Sequence, residues 1–138
     1  MECKISTTIN ANKDKVWSII SDLDNEPKYW HGTKSVKNLS VKDNEIVREV
    51  IIAFKNSKCK EIIKLEPKSK IDINIVEGPM KGHKVITLSN DNNITKVDVT
   101  WDIKLSGMLS IFSSIVKGHI EDGTKEALKR IKAVCETN

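Results

Sequence analysis

Between residues 33 and 105 the chain repeatedly alternates apolar with polar residues, and each alternating run closes on a turn signal. A period of two marks a strand with one dry and one wet face. The clearest run sets Val97, Val99, Trp101, Ile103 and Leu105 against Lys96, Asp98, Thr100, Asp102 and Lys104. Further strands are predicted at 35–41, 45–54, 58–65, 70–77 and 84–89. They are separated by Lys42-Asp43-Asn44, Asn56-Ser57, Pro67, the stretch Gly78-Pro79-Met80-Lys81-Gly82, and Asn90-Asp91-Asn92-Asn93. An earlier strand at 3–9 alternates Cys3, Ile5, Thr7 and Ile9 with Lys4, Ser6 and Thr8. This pattern predicts a seven-stranded antiparallel sheet with one wet face.

Helical spacing takes over at both ends of this block. After the first strand, Val16, Ile19, Ile20 and Leu23 fall at helical steps, with Trp17 on the flank and Asn12 placed to cap. That helix is expected to end near Asp22. Asp24-Asn25-Glu26-Pro27 then predicts a short second helix through Tyr29 and Trp30, stopped by Gly32. From 108 to 134, Phe112, Val116, Ile120, Gly123, Ala127, Ile131 and Val134 form one stripe of a long helix, with Glu121–Lys125 and Glu126–Arg130 as supporting pairs off it. Before Gly118 the apolar residues spread wider than a stripe: Met108, Leu109, Ile111, Phe112, Ile115 and Val116. Gly118 and Gly123 then mean close packing or a kink, or else the first half is a movable lid over something apolar. The predicted architecture is α+β: a curved seven-stranded antiparallel sheet wrapped on a long C-terminal helix, with two short helices after the first strand. Residues 1–138 read as a single domain.

Aromatic content bears on the interior. A sheet that wraps one helix encloses more volume than the helix fills, and the chain has only three Trp, one Tyr and two Phe with which to fill it. A cavity lined by apolar residues with a few polar groups is expected. The formal charge of +4 is modest, and no aromatic residues interleave with a basic cluster, so nucleic-acid binding is not expected. Cys3, Cys59 and Cys135 form neither a zinc spacing nor a disulfide framework, which points to a reducing cytoplasm. Strand alternation begins almost at the first residue, so no signal peptide is read, and no apolar run approaches the roughly 18 residues of a membrane span.

Ala11-Asn12-Lys13-Asp14-Lys15-Val16-Trp17 resembles the opening of the first helix in START-like, helix-grip proteins, the polyketide cyclase/dehydrase and lipid-transport superfamily (SRPBCC) that includes the birch-pollen-allergen type. Pro27-Lys28-Tyr29-Trp30 resembles the short Pro- and Trp-rich helix that follows there. Glu77-Gly78-Pro79 followed by Gly82 resembles the Gly-Pro turn of the coenzyme Q-binding branch. The resemblance implies a deep apolar pocket between sheet and long helix for lipids, quinones, polyketides or hormones. Enzymatic members add acid–base residues inside it.

No nucleophile elbow, P-loop, dinucleotide fingerprint or HExxH is present, so no catalytic residue, metal ligand or cofactor is assigned. A two-residue turn at Asn56-Ser57 would pair Arg48 with Leu65, Val50 with Ile63, Ile52 with Glu61 and Phe54 with Cys59. The more apolar face of this hairpin then carries Arg48 and Glu61 inward, where they either pair across a cavity or snorkel to water at the sheet ends. The candidate ligand-binding residues are Trp30 at the rim; Arg48, Val50, Ile52, Phe54, Glu61 and Ile63 on the hairpin; Ile73 and Ile75; Val99 and Trp101; and Phe112, Val116, His119 and Ile120 on the helix. The expected function is binding, with transport as an extension, of a small hydrophobic ligand such as a lipid, isoprenoid or quinone. The alternatives are a cyclase/dehydratase-type enzyme on the same fold and a protein-interaction adaptor. The oligomeric state is not legible.

Overall fold

The structure, a computed structural model, describes residues 1–137. Its strands are β1 (Glu2–Ile9), β2 (Thr33–Lys42), β3 (Glu45–Ile52), β4 (Lys58–Glu66), β5 (Lys70–Glu77), β6 (Met80–Asp91) and β7 (Ile94–Leu105). They form one antiparallel sheet in the order β1-β7-β6-β5-β4-β3-β2. Six strands follow one another as hairpins, and β1 completes the sheet beside β7. β1 and β2 are therefore opposite edges, and the chain between them must cross the open sheet. It does so through α1 (Lys13–Ile20) and a 3-10 helix (Leu23–Lys28). Asn12 caps α1 as its position predicts: its side-chain oxygen accepts from the Lys15 amide at 2.9 Å. The 3-10 helix starts earlier than the predicted second helix and holds Pro27 inside it, leaving Tyr29 and Trp30 just beyond its end.

The β3–β4 connection differs from the expected two-residue turn. A 3-10 turn at Phe54–Asn56 occupies it, with Lys55 and Asn56 at positive φ, and β3 ends at Ile52. This longer connection sets the register so that Arg48 faces Glu61, Val50 faces Cys59 and Ile46 faces Ile63. Phe54 leaves the strand as a result. The displacement from the expected register is an even number of residues, so every side chain keeps its predicted face. At the β5–β6 end, the expected 78–82 turn contracts to Gly78-Pro79, because Met80 already belongs to β6.

The C-terminal helix is two helices, α2 (Met108–Ile111) and α3 (Ser113–Cys135), broken at Phe112 (φ −107, ψ 35). The break does not fall at Gly118 or Gly123. Both lie inside α3, and an added Cβ at either would meet nothing within 4 Å, so neither marks close packing. The break also takes Phe112 off the predicted stripe and leaves it exposed. The row that α3 turns inward is Val116, Ile120, Thr124, Ala127, Leu128, Ile131 and Cys135, while Val134 faces outward. The expected Glu126–Arg130 pair is replaced as well: Arg130 donates to the Tyr29 carbonyl at 2.9 Å, tying α3 to the crossing segment, and Glu126 meets Lys129.

All the fully buried positions of α3 lie from Thr124 onward, packed on β1 and α1 in the same core as Ile9, Val16, Val97 and Val99. The Lys132 ammonium donates to the Thr8 carbonyl at 2.6 Å and fixes this end to β1. The first half of α3 has no buried residue and stands off the sheet. The chain is thus a wedge, closed at the β1 edge and open towards β3–β5. No helix among the described residues is long and apolar enough to cross a membrane.

Gly82 makes the close approach of β6 to β7 possible. It sits at φ +134, and a Cβ there would collide with the Asp102 carbonyl oxygen and the Ile103 Cα. Gly82→Ala is expected to lower unfolding stability by about 2–4 kcal/mol in urea denaturation. Gly118→Ala, in open space on a helix, is expected to raise it by up to about 1 kcal/mol.

Candidate functional site

The wedge encloses a cavity of about 490 Å³ between the concave face of the sheet, the 3-10 crossing and the first half of α3. Its walls follow from strand parity. On β6, Lys84 is in phase with Ile86 and Leu88, so all three face inward. On neighbouring strands Lys84 faces Ile73 and Trp101. One turn of pleat away, Ile75 faces Glu61, and Glu61 faces Arg48. Polar groups therefore enter the concave face in two adjacent rows, surrounded by Ile52, Ile73, Ile75 and Trp101. Leu109, buried on α2, and Val116 and Ile120 on α3 form the roof.

Of the residues singled out from sequence, Trp30, Ile52, Phe54, Glu61, Ile73, Ile75, Trp101, Val116, His119 and Ile120 line this cavity. Val50, Ile63 and Val99 face inward but lie outside the wall, fully consumed by packing in the core. Phe112 points outward from the helix break. Arg48 is also outside the wall, and it does not snorkel: its side chain is 0% exposed. It lies beneath the cavity floor, where its Nε donates to Glu61 at 2.8 Å and its Nη2 to Glu26 at 2.7 Å. Its Nη1 reaches the Leu23 carbonyl at 3.3 Å. One guanidinium thus joins β3, β4 and the 3-10 crossing.

Sequence reasoning missed Glu26 and Lys84, which also line the cavity. Glu26 sits in a 3-10 segment that has no apolar periodicity to orient it. Lys84 did carry a signal, its phase with Ile86 and Leu88, once β6 is known to begin before it. Its ammonium lies 3.1 Å from the centroid of the Trp30 ring and 5.1 Å from that of Trp101. A cation over an indole face gains about 0.5–2 kcal/mol from the ring quadrupole.

The four charged groups perturb one another. Burial pulls the Lys84 ammonium down to about 8, a fall that Arg48 adds to and that the Glu26 and Glu61 carboxylates only partly offset. Burial raises the Glu61 carboxyl, Arg48 opposes it, Glu26 adds to it, and the net position is above the usual carboxylate range. Glu26 is equally buried, but Lys84 and Arg48 together outweigh desolvation and hold it below that range. Lys84 is the leading charge on Glu26 and the least of those on Glu61. Burial thus shifts Glu61 towards its protonated form, whereas the neighbouring cations shift Glu26 away from it. Burial and the Glu61 charge push the Cys59 thiol in the cavity wall up to about 11, so it is not an activated nucleophile.

His31 and His119 both border the cavity, whereas His83 lies on the outer face, 2.8 Å from Asp72. Among the described residues no three of His, Cys, Asp and Glu come together as a metal ion would require. An indole N–H, that of Trp101, donates to Thr124 at 3.0 Å, and Thr124 donates in turn to the Ile120 carbonyl, which braces the cavity against α3.

The depressed Lys84 has a consequence for stability. The unfolded chain holds this proton up to about 10.5 and the folded chain releases it near 8. Between those values the unfolded state binds more protons, so stability rises with pH. Relative to Lys84→Met, the wild-type protein is expected to gain up to about 3 kcal/mol across that interval in urea denaturation. A difference that stays flat would mean that the ammonium is hydrated.

Several solved structures share this fold. The ZhuI aromatase/cyclase from Streptomyces superposes with a TM-score of 0.83 at 16% identity, covering 99% of this chain and 93% of its own. A Thermus thermophilus protein gives 0.81 at 14% identity, covering 96% and 95%. A START superfamily protein from Mycobacterium smegmatis gives 0.76 at 14% identity, covering 96% and 98%. At these identities the likeness is one of fold. No curated protein sequence matches significantly. The family model described as polyketide cyclase / dehydrase and lipid transport matches residues 2–136. With the helix-grip architecture and its enclosed cavity, that match places the chain in the polyketide cyclase/dehydrase and lipid-transport family of START-like proteins.

Proposed function

We propose that this protein binds a small hydrophobic ligand, of the lipid, isoprenoid or quinone kind, in the cavity between sheet and α3, and carries it out of water. The observation behind this reading is the cavity itself: about 490 Å³ with walls of Ile, Trp, Val and Leu and polar groups gathered at one end. That volume exceeds the roughly 300 Å³ at which ligand sites begin. Its lining is also unevenly held. The closed end of α3 is anchored by Lys132 and Arg130, whereas the half over the cavity is not buried and follows a helix break, the arrangement a gate needs. Free Cys3, Cys59 and Cys135 are in keeping with a cytoplasmic carrier.

A second reading, a cyclase/dehydratase-type enzyme, draws on one specific observation. The cavity exposes a carboxyl shifted towards its protonated form, Glu61, and an amine whose proton affinity is lowered to about 8, Lys84, which could act as acid and base on a bound substrate. Aromatase/cyclases among the structural neighbours are in keeping with it.

Trp30 and Trp101 both face the cavity, so ligand entry is readable in tryptophan emission. Titration with a panel of long-chain lipids, isoprenoids and quinones, together with native mass spectrometry of the purified protein, is expected to give saturable quenching by at least one class with Kd of about micromolar or tighter. A correctly folded protein that quenches with none of them and carries no co-purified small molecule would overturn the proposal.

A further inference from the structure

We infer that Lys84 captures its ligand covalently, its ε-amine forming a Schiff base with an aldehyde or ketone carbonyl on an apolar molecule held in the cavity. This rests on the reading of the cavity as a hydrophobic ligand site and adds the functional group that the ligand carries.

Three features of the site lead there. The first is position. Lys84 projects from the middle of the concave sheet and opens into the cavity, its nitrogen packed between the faces of Trp30 and Trp101. A ligand that fills the apolar volume meets Lys84 in its wall.

The second is the absence of a partner. An ammonium has three donors. Among the described residues, no carboxylate lies within 4.0 Å of the Lys84 nitrogen, and it donates no hydrogen bond, although Glu26 and Glu61 are close enough to be felt. The two glutamates are instead occupied by Arg48. The indole faces attract a cation but replace little of its lost hydration. A neutral amine loses far less in this setting, and its lone pair is then free to react with whatever occupies the cavity. Desolvation in an apolar pocket is a recognised way to make a lysine nucleophilic, and here burial is the leading cause, with Arg48 a lesser one that the two glutamates oppose. The depressed proton affinity of Lys84 agrees with the geometry.

The third is a proton source. Dehydration of a carbinolamine needs an acid, and Glu61 lines the same cavity with its carboxyl raised towards the protonated form. The neutral amine adds to the carbonyl carbon, and a proton moves from nitrogen to oxygen to give the carbinolamine. Glu61 then protonates the hydroxyl, the C–O bond breaks, water leaves, and the nitrogen lone pair forms the C=N bond. The products are an iminium on Lys84, a Glu61 carboxylate and one water. The reacting form, with Lys84 unprotonated and Glu61 protonated, becomes an ion pair, so the net charge of the cluster does not change across the step and the new cation is formed beside its counter-ion. A carboxylic acid ligand fits less well, because its carboxylate would lie beside the Glu26 carboxylate.

The test uses the full chain with decanal as probe, sodium cyanoborohydride to reduce any imine, and peptide mapping to locate the adduct. At neutral pH Lys84 should be labelled about tenfold or more faster than any surface lysine, because its unprotonated fraction exceeds theirs by about two orders of magnitude. 1-Decanol, which fills the cavity but has no carbonyl, should slow that labelling, and Lys84→Met should leave only the slow surface reaction. Lys84 labelled no faster than surface lysines, while decanol still quenches tryptophan emission, would overturn the covalent inference and leave hydrophobic binding standing. If neither decanal nor decanol perturbs the tryptophans and Lys84 stays unlabelled, both readings fall together.

Discussion

One buried guanidinium sets the geometry of this molecule's interior. Arg48 is sealed from water, and both of its anionic partners lie on other elements: Glu61 on β4 and Glu26 in the 3-10 crossing. Desolvating these three charges costs several kcal/mol per ion, and their mutual attraction offsets it only because the hydrogen bonds are short and use separate guanidinium nitrogens. An apolar trio of the same volume would pack as well or better. What the ionic version adds is a fixed location. It allows one position of the crossing segment relative to the sheet, and that position brings Trp30 over Lys84. The polar end of the cavity is therefore a consequence of how the crossing is held down.

The cavity has a second cause at the opposite end. α3 is committed to β1 and α1 at the end that buries Ala127, Leu128, Ile131 and Cys135, and Lys132 and Arg130 reinforce that end with bonds to backbone carbonyls. A straight helix anchored at one edge of a curved sheet must lift away from the other. Leu109 from α2 and Val116 and Ile120 from α3 cover the opening, but no large aromatic fills it, since Phe112 turns outward at the break and Phe54 leaves its strand for the rim. The lifted half exposes Met108, Ile111, Phe112 and Ile115, an apolar margin around the same opening.

The architecture was legible in the sequence because it rests on periodicity. Seven strands, the long helix and the Asn12 cap all come from local patterns that tertiary packing did not override. The inward facing of Arg48 and Glu61 survived an incorrect hairpin register because the error was even, and parity is the quantity that decides a face. Their direct opposition was not legible, since it depends on positive-φ residues Lys55 and Asn56 in the connection. Glu26 was missed because a 3-10 crossing carries no period, and Lys84 because β6 begins four residues earlier than its turn signals implied. Phe112 was assigned to the helix stripe because a single non-helical residue leaves no trace in an apolar run. The elements, then, follow from the chain alone, whereas the chemistry of the site depends on where two of them are broken or extended.

If the Arg48 cluster holds the crossing segment over the sheet, its members must be energetically coupled. A double-mutant cycle with Arg48→Met and Glu61→Leu, read by urea denaturation at neutral pH, measures this directly. Each single substitution leaves buried polar groups without partners and is expected to cost about 3–5 kcal/mol, whereas the double variant should cost clearly less than their sum. Single costs below about 1 kcal/mol that simply add would be those of a solvated pair, and would contradict the account.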